Sequence, residues 1–170
     1  MSIILIGFMG VGKSTVAKKL AEEVNLPVAD MDDILTQQLG MIITDFFEMQ
    51  GEAAFRTLET RLLVELLKTD QIIATGGGVI MNKENQEALQ AQSKVIFLDG
   101  DFDLIYSRIS SGRNAEIRPI VRQKSKESLK ELFDYRQKIY QKLADYTLRV
   151  SGQYPREIVE EIIKWLEESK

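Results

Sequence analysis

Residues 7–14 read Gly-Phe-Met-Gly-Val-Gly-Lys-Ser, and residues 2–6 directly before them read Ser-Ile-Ile-Leu-Ile. A short apolar run leading into a glycine-rich turn is a buried strand, and Gly-x-x-x-x-Gly-Lys-Ser is the pattern of a phosphate-binding loop. The residue types suit the task. Gly7 lets the chain leave the strand sharply, while Gly10 and Gly12 lack the Cβ that would block a phosphate or forbid positive φ. Successive N–H groups, that of Val11 among them, then face inward as an anion nest. Lys13 can reach the β- and γ-phosphates, and Ser14 can offer its hydroxyl to Mg²⁺. Thr15 joins the first turn of a helix whose positive dipole end aims at the same spot. That helix is legible in Val16, Leu20, Ala21 and Val24, with Lys18, Lys19, Glu22 and Glu23 turned outward. Residues 10–15 therefore predict a nucleoside triphosphate site.

Composition narrows the chemistry further. A chain of 170 residues is one domain by expectation and buries about 70% of its unfolded surface without staples. It has no cysteine, so it needs no oxidising compartment. No apolar stretch approaches the ~20 residues of a membrane span, and the N-terminal apolar run has no basic region ahead of it. A cytoplasmic protein is expected. The net charge of -4 and pI near 5.1 leave no electrostatic footprint for nucleic acid. With no histidine in the chain, imidazole bases, histidine metal ligands and Ser-His-Asp triads are excluded. Any proton acceptor is a carboxylate, a lysine or water.

Short β-rich runs alternate with longer helical patterns, which predicts an α/β domain built on a parallel sheet. The expected strands are Ile3 to Ile6, Pro27 to Ala29, Gln71 to Thr75, Lys94 to Leu98 and Thr147 to Val150. Expected helices run from Lys13 to Val24, Asp32 to Leu39, Thr44 to Leu67, Asn82 to Ala91, Phe102 to Ile109, Ser125 to Leu143 and Arg156 to Glu168. Periodicity does not order the strands. The connection from Ser110 to Lys124, with Gly112, Pro119 and four basic residues but little apolar content, reads as exposed and mobile.

Three further constellations carry chemistry. Asp30-Met31-Asp32-Asp33 ends the second strand, on the sheet edge where ligands of open α/β folds bind. These carboxylates stand near a metal and an acceptor, or Asp30 or Asp32 simply caps the helix that follows. Gly76-Gly77-Gly78 follows the third strand and either lets a ligand lie against backbone or makes a tight turn. Arg56, Arg118 and Arg136 lie in apolar or loop contexts. Arg56 has Glu59 and Glu52 at pairing distance along a helix, the ordinary fate of such a guanidinium.

Taken in order, the motifs GFMGVGKST, Asp30-Met31-Asp32, Gly51-Glu52-x-x-Phe55-Arg56-x-x-Glu59, Gly76-Gly77-Gly78, Arg118-Pro119 and Arg136-x-x-x-Tyr140 resemble the shikimate kinase family across essentially the whole chain. The resemblance implies a P-loop fold like that of nucleoside monophosphate kinases, a three-layer α/β/α arrangement around a five-stranded parallel sheet. It implies a single domain over 1–170, with an acceptor-binding subdomain near 31–61 and a lid near 110–124. The implied reaction transfers the γ-phosphate of ATP to the 3-hydroxyl of shikimate, in aromatic amino acid biosynthesis, with Mg²⁺ bound. For a small chain with no visible interface stripe a monomer is the default expectation. Position by position, the resemblance assigns Asp32 to the ring hydroxyls and the 3-hydroxyl proton, and Asp30 with Ser14 to Mg²⁺. It assigns Arg56 and Arg136 to the substrate carboxylate, Gly77 to a backbone contact with the acceptor, and Arg118, with Lys13, to the phosphates. Guanidinium forks suit a planar carboxylate, and phosphoryl transfer depends on positioning and charge more than on covalent help. The adenine-side arginine corresponds to Arg108 or Arg113, and a further adenine contact to Gln153 or Arg156.

Two other readings compete. A gluconate or nucleotide kinase would share the loop without the pairing of Arg56 and Arg136 with the Asp-x-Asp. A GTP-binding switch would want Asn-Lys-x-Asp, whereas residues 82–85 end in an amide at Asn85, and Asp-x-x-Gly occurs nowhere.

Overall fold

The computed structural model of the protein describes residues 1–111 and 124–170. Strand β1 (Ile3–Ile6) is buried along its whole length, because its four apolar side chains serve both faces of a sheet covered on both sides. It pairs with β3 (Ile72–Ala74), Ile3 opposite Ile72, and with β4 (Val95–Asp99), Ile4 opposite Val95. Strands β2 (Val28–Asp30) and β5 (Tyr146–Arg149) form the edges, giving the order β2-β3-β1-β4-β5 with every pairing parallel. The five expected strands are all present, β1 with its expected ends and the others with theirs moved by one residue.

Helix α1 (Lys13–Val24) packs against α8 (Pro155–Glu168) on one side of the sheet. On the other, α7 (Lys126–Leu143) lies on β4 and touches α5 (Lys83–Gln90) and α6 (Phe102–Ile109). This is the expected three-layer α/β/α architecture. Aromatic contacts tie the start of the phosphate loop and strand β4 to α7: Phe8 meets Phe133 edge-on at 5.2 Å, and Phe97 stacks on Tyr140 at 5.2 Å. No helix among the described residues is long and apolar enough to cross a membrane.

One expected element divides. The helix expected from Thr44 to Leu67 is two, α3 (Ile43–Gln50) and α4 (Glu52–Leu66). The joint is Gly51, at φ 85° and ψ 166°, a conformation that side chains rarely adopt. Its N–H closes α3 on Phe47 O, and its carbonyl opens α4 by accepting from Phe55 N. The apolar pattern hides the break because Phe46 and Phe47 of α3 both pack on Phe55 of α4, at 6.4 and 5.0 Å. Together with α2 (Met31–Leu39) these helices pack on one another over residues 31–66. The expected lid falls almost wholly outside the described residues, as do Arg113 and Arg118.

Candidate active site

The chain changes direction across the sheet at β1, with β2 and β3 to one side and β4 and β5 to the other. Parallel pairing brings the carboxyl ends of all five strands to one edge, and the loops that follow them meet there. A cavity of about 490 Å³ runs along this edge, from Asp32, Thr75 and Gly77 past the phosphate loop to Leu104, Arg108 and Gln153.

The glycines of the phosphate loop take the expected backbone form, but the Val11 N–H, expected to face inward, is taken up by a carbonyl of the loop itself. Gly10 takes φ 78° and Gly12 φ 108°, and a Cβ on Gly10 would stand 2.5 Å from Ile109 Cγ2. Val11 is buried, its N–H donating to Phe8 O, while Ser14 and Thr15 are exposed at the cavity wall. The Lys13 ammonium folds back and donates to Gly7 O at 2.6 Å and Phe8 O at 3.0 Å.

The Asp-x-Asp motif separates into two roles. Asp30 is the cap: one of its oxygens accepts from Asp33 N at 3.2 Å, while the other accepts from the Ser14 hydroxyl. One side chain thus caps the start of α2 and touches the loop. Asp32 stands in the first turn of α2 and faces the cavity.

Behind Asp32 lies a buried charged cluster. Arg56 donates to Glu59 at 2.7 Å and to Glu52 at 3.4 Å, so the pairing expected for an isolated helical arginine does form. Glu59 is only 1% exposed. Burial pushes its carboxyl above the usual range, Arg56 pulls it back, and Asp32 adds to the rise. Arg136 is 3% exposed, lies over the Phe8 ring, and its Nε has no hydrogen-bond partner among the described residues. Burial lowers its affinity for the proton.

The glycine triplet makes room for this cluster. A Cβ on Gly76 would lie 2.9 Å from Glu59 Oε2 and 3.0 Å from Asp32 Oδ1, and one on Gly78 would lie 2.4 Å from Arg56 Nη2. A Cβ on Gly77 would meet Met9 N at 3.0 Å and Arg136 Nη1 at 3.7 Å. Gly76 and Gly78 each admit charged groups and Gly77 admits the phosphate-loop backbone, which a turn alone does not require.

At the far end of the cavity one of two open choices narrows, that between Gln153 and Arg156. Arg108 lines the wall and donates to Gly10 O at 3.3 Å, whereas Arg113 lies outside the described residues. Gln153 lines the wall, while Arg156 turns away and pairs with Glu160 at 3.0 Å. Sequence reasoning gave Glu59 only the part of a pairing partner for Arg56 and gave Tyr140 none, although both stood in quoted motifs. Leu104 and Pro155, both on the cavity wall, carried no sequence signal.

Residues 9–167 match the family model for shikimate kinase. The chain belongs to the shikimate kinase family. Like other shikimate kinases it is an ATP-dependent phosphotransferase acting on an alcohol. A curated shikimate kinase from Lactococcus lactis subsp. lactis is 45% identical over 97% of this chain and 98% of its own length. One from Enterococcus faecalis is 38% identical over 98% and 99%. Among solved structures, shikimate kinase from Acinetobacter baumannii in complex with shikimate matches at TM-score 0.92 and 31% identity, covering 99% of this chain and 94% of that one. A gluconokinase from Sinorhizobium meliloti shares the fold at TM-score 0.54 and 20% identity, covering 98% of this chain and 91% of that one.

Proposed function

We propose that this protein phosphorylates the 3-hydroxyl of shikimate with ATP, using the residues gathered along this one sheet edge. The observation that carries the reading is the meeting of Asp32, Arg56 and Arg136 at Gly76–Gly78, at one end of the cavity that the phosphate loop lines. A carboxylate placed among two guanidiniums and backbone amides matches an acceptor with a carboxylate and several hydroxyls.

In this reading Arg56 and Arg136 grip the shikimate carboxylate, and the Gly77 backbone meets the ring. Asp32 orients the 3-hydroxyl and accepts its proton as the oxygen attacks the γ-phosphorus, breaking the bond to the ADP oxygen. The loop N–H groups of residues 10–15 hold the triphosphate. Lys13, now on the Gly7 and Phe8 carbonyls, exchanges them for phosphate oxygens, which are stronger charge-assisted acceptors. Arg118 completes the set over the phosphates, and Arg108 with Gln153 serves the nucleobase end.

The donors beside the loop fit Mg²⁺. The Ser14 hydroxyl and an Asp30 oxygen are hard ligands in direct contact, and no cluster of three acidic, cysteine or histidine residues occurs among the described residues. Such a site suits an ion that takes one or two protein oxygens and completes its shell with phosphate and water. When bound there, the ion neutralises charge on the triphosphate. Residues near 31–61 serve as the acceptor subdomain, residues near 110–124 as the lid, and the working unit is a cytoplasmic monomer.

The test is ADP release from Mg-ATP with shikimate, quinate, gluconate, a nucleoside monophosphate or no acceptor. Release with shikimate alone is expected; release with another acceptor and not shikimate overturns the substrate.

A further inference from the structure

Tyr140 is wholly buried, yet it carries a polar group to the acceptor site. Its ring stacks on Phe97 of β4, and its hydroxyl donates to the carbonyl of Gly77, 63 residues away in the chain. Arg136 stands one turn earlier on the same helix. The atom Nη1 of Arg136 lies 3.7 Å from where a Gly77 Cβ would be, and that same position lies 3.0 Å from Met9 N of the phosphate loop. One hydroxyl thus joins α7, the glycine triplet and, through Gly77, the edge of the phosphate loop.

The peptide between Gly77 and Gly78 is trans, as are all the described peptides, so its carbonyl and N–H point in opposite directions. When Tyr140 takes the carbonyl, the N–H of Gly78 is turned away from Tyr140. Burial pushes the phenol far above its ordinary pKa, against the charge of Arg136, a hydrogen bond from its guanidinium and the charge of Arg56, so the hydroxyl remains a donor to Gly77 and stays tied to Arg136. The peptide is the middle one of a turn closed by Val79 N on Gly76 O, and with glycine on both sides that turn tolerates either orientation of the peptide. The hydroxyl favours the one seen.

We infer that Tyr140 is a positioning residue of the acceptor site: its buried hydroxyl sets the orientation of the Gly77–Gly78 peptide and holds it in register with Arg136, without touching substrate. The inference rests on the placing of Gly77 and Arg136 at the acceptor.

Tyr140→Phe deletes the hydroxyl, leaves the ring to stack on Phe97, and strands the Gly77 carbonyl in the interior. The expected result is a rise in shikimate KM of about tenfold or more, with ATP KM held within about twofold, since an unsatisfied buried group of this kind is felt where its peptide acts. Replacing Tyr140 by 3-fluorotyrosine keeps the donor and makes it more acidic, and shikimate KM is expected to stay at the native level. A merely structural role would lower thermal stability and raise both KM values together. Shikimate KM unchanged in the Phe variant, an equal rise for ATP, or the same loss in the fluorotyrosine protein would each overturn the inference. If the Phe variant does not fold, the fluorotyrosine protein decides alone, native KM supporting the inference and a raised KM refuting it. Arg136→Ala separates the premise: if it too leaves shikimate KM unchanged, the assignment of the acceptor site fails first.

Discussion

Glu59 is a carboxylate buried to 1% exposure with one guanidinium, Arg56, at 2.7 Å and a second carboxylate, Asp32, nearby across Gly76. Burial holds it above its ordinary value of 4.5, so the folded protein retains this proton at pH values where the unfolded chain has lost it. From pH 4.5 upward the folded state therefore binds more protons, and stability falls as pH rises through that window; below 4.5 the penalty is absent. In Glu59→Gln the pH-dependent part is removed. Urea midpoints for the two proteins, measured between pH 4 and pH 8, should converge or cross as pH rises; a constant gap would show that Glu59 does not titrate in this window. Asp32 differs in kind, since it faces the cavity. Asp32→Asn is expected to keep ATP binding while turnover falls by at least about 100-fold, the lower range of general-base effects. Turnover near the native rate would remove Asp32 from the proton-accepting role.

Among the elements, the joint at Gly51 has the clearest consequence. It lets α4 depart from α3 at an angle that a continuous helix would not allow, and α4 carries both Arg56 and Glu59. Gly51→Ala forces a side chain into φ 85° and ψ 166°, at a cost of about 1–3 kcal/mol. Chemical denaturation should show that loss, and shikimate KM should rise because the two charged residues move with α4. Native stability in this variant would mean that the joint relaxes without strain. Helix α7 works differently: it brings Arg136 and Tyr140 to the site from one face, four residues apart.

Over the whole molecule, one sheet edge joins the nucleotide and acceptor ends, so binding at either end is linked to folding of the same domain. Mg-ATP at 100 times its Kd adds about 2.7 kcal/mol, equivalent to roughly 5–10 °C in Tm for a chain of this size. Lys13→Met should lose most of that shift while keeping its Tm without nucleotide within a few degrees. An undiminished shift would place the triphosphate away from the loop.

The sequence by itself determined the features that local chemistry specifies. Four apolar residues in a row make β1, and Gly10, Gly12 and Lys13 make the phosphate loop, because both depend on conformations and charges within a few residues of each other. The motif order from Gly7 to Tyr140 carried the family. Tertiary structure decided what depends on distant segments meeting. Only the packed chain shows that Asp30 caps α2 while touching Ser14, that the break at Gly51 lies inside an unbroken apolar pattern, and that Gln153 rather than Arg156 faces the cavity. Only it shows why three glycines follow β3: a Cβ at Gly76 or Gly78 would enter the space of charged side chains from α2 and α4, and one at Gly77 would press on the Met9 backbone of the phosphate loop. Such volumes are set by pairs of residues tens of positions apart, and periodicity along the chain carries no measure of them.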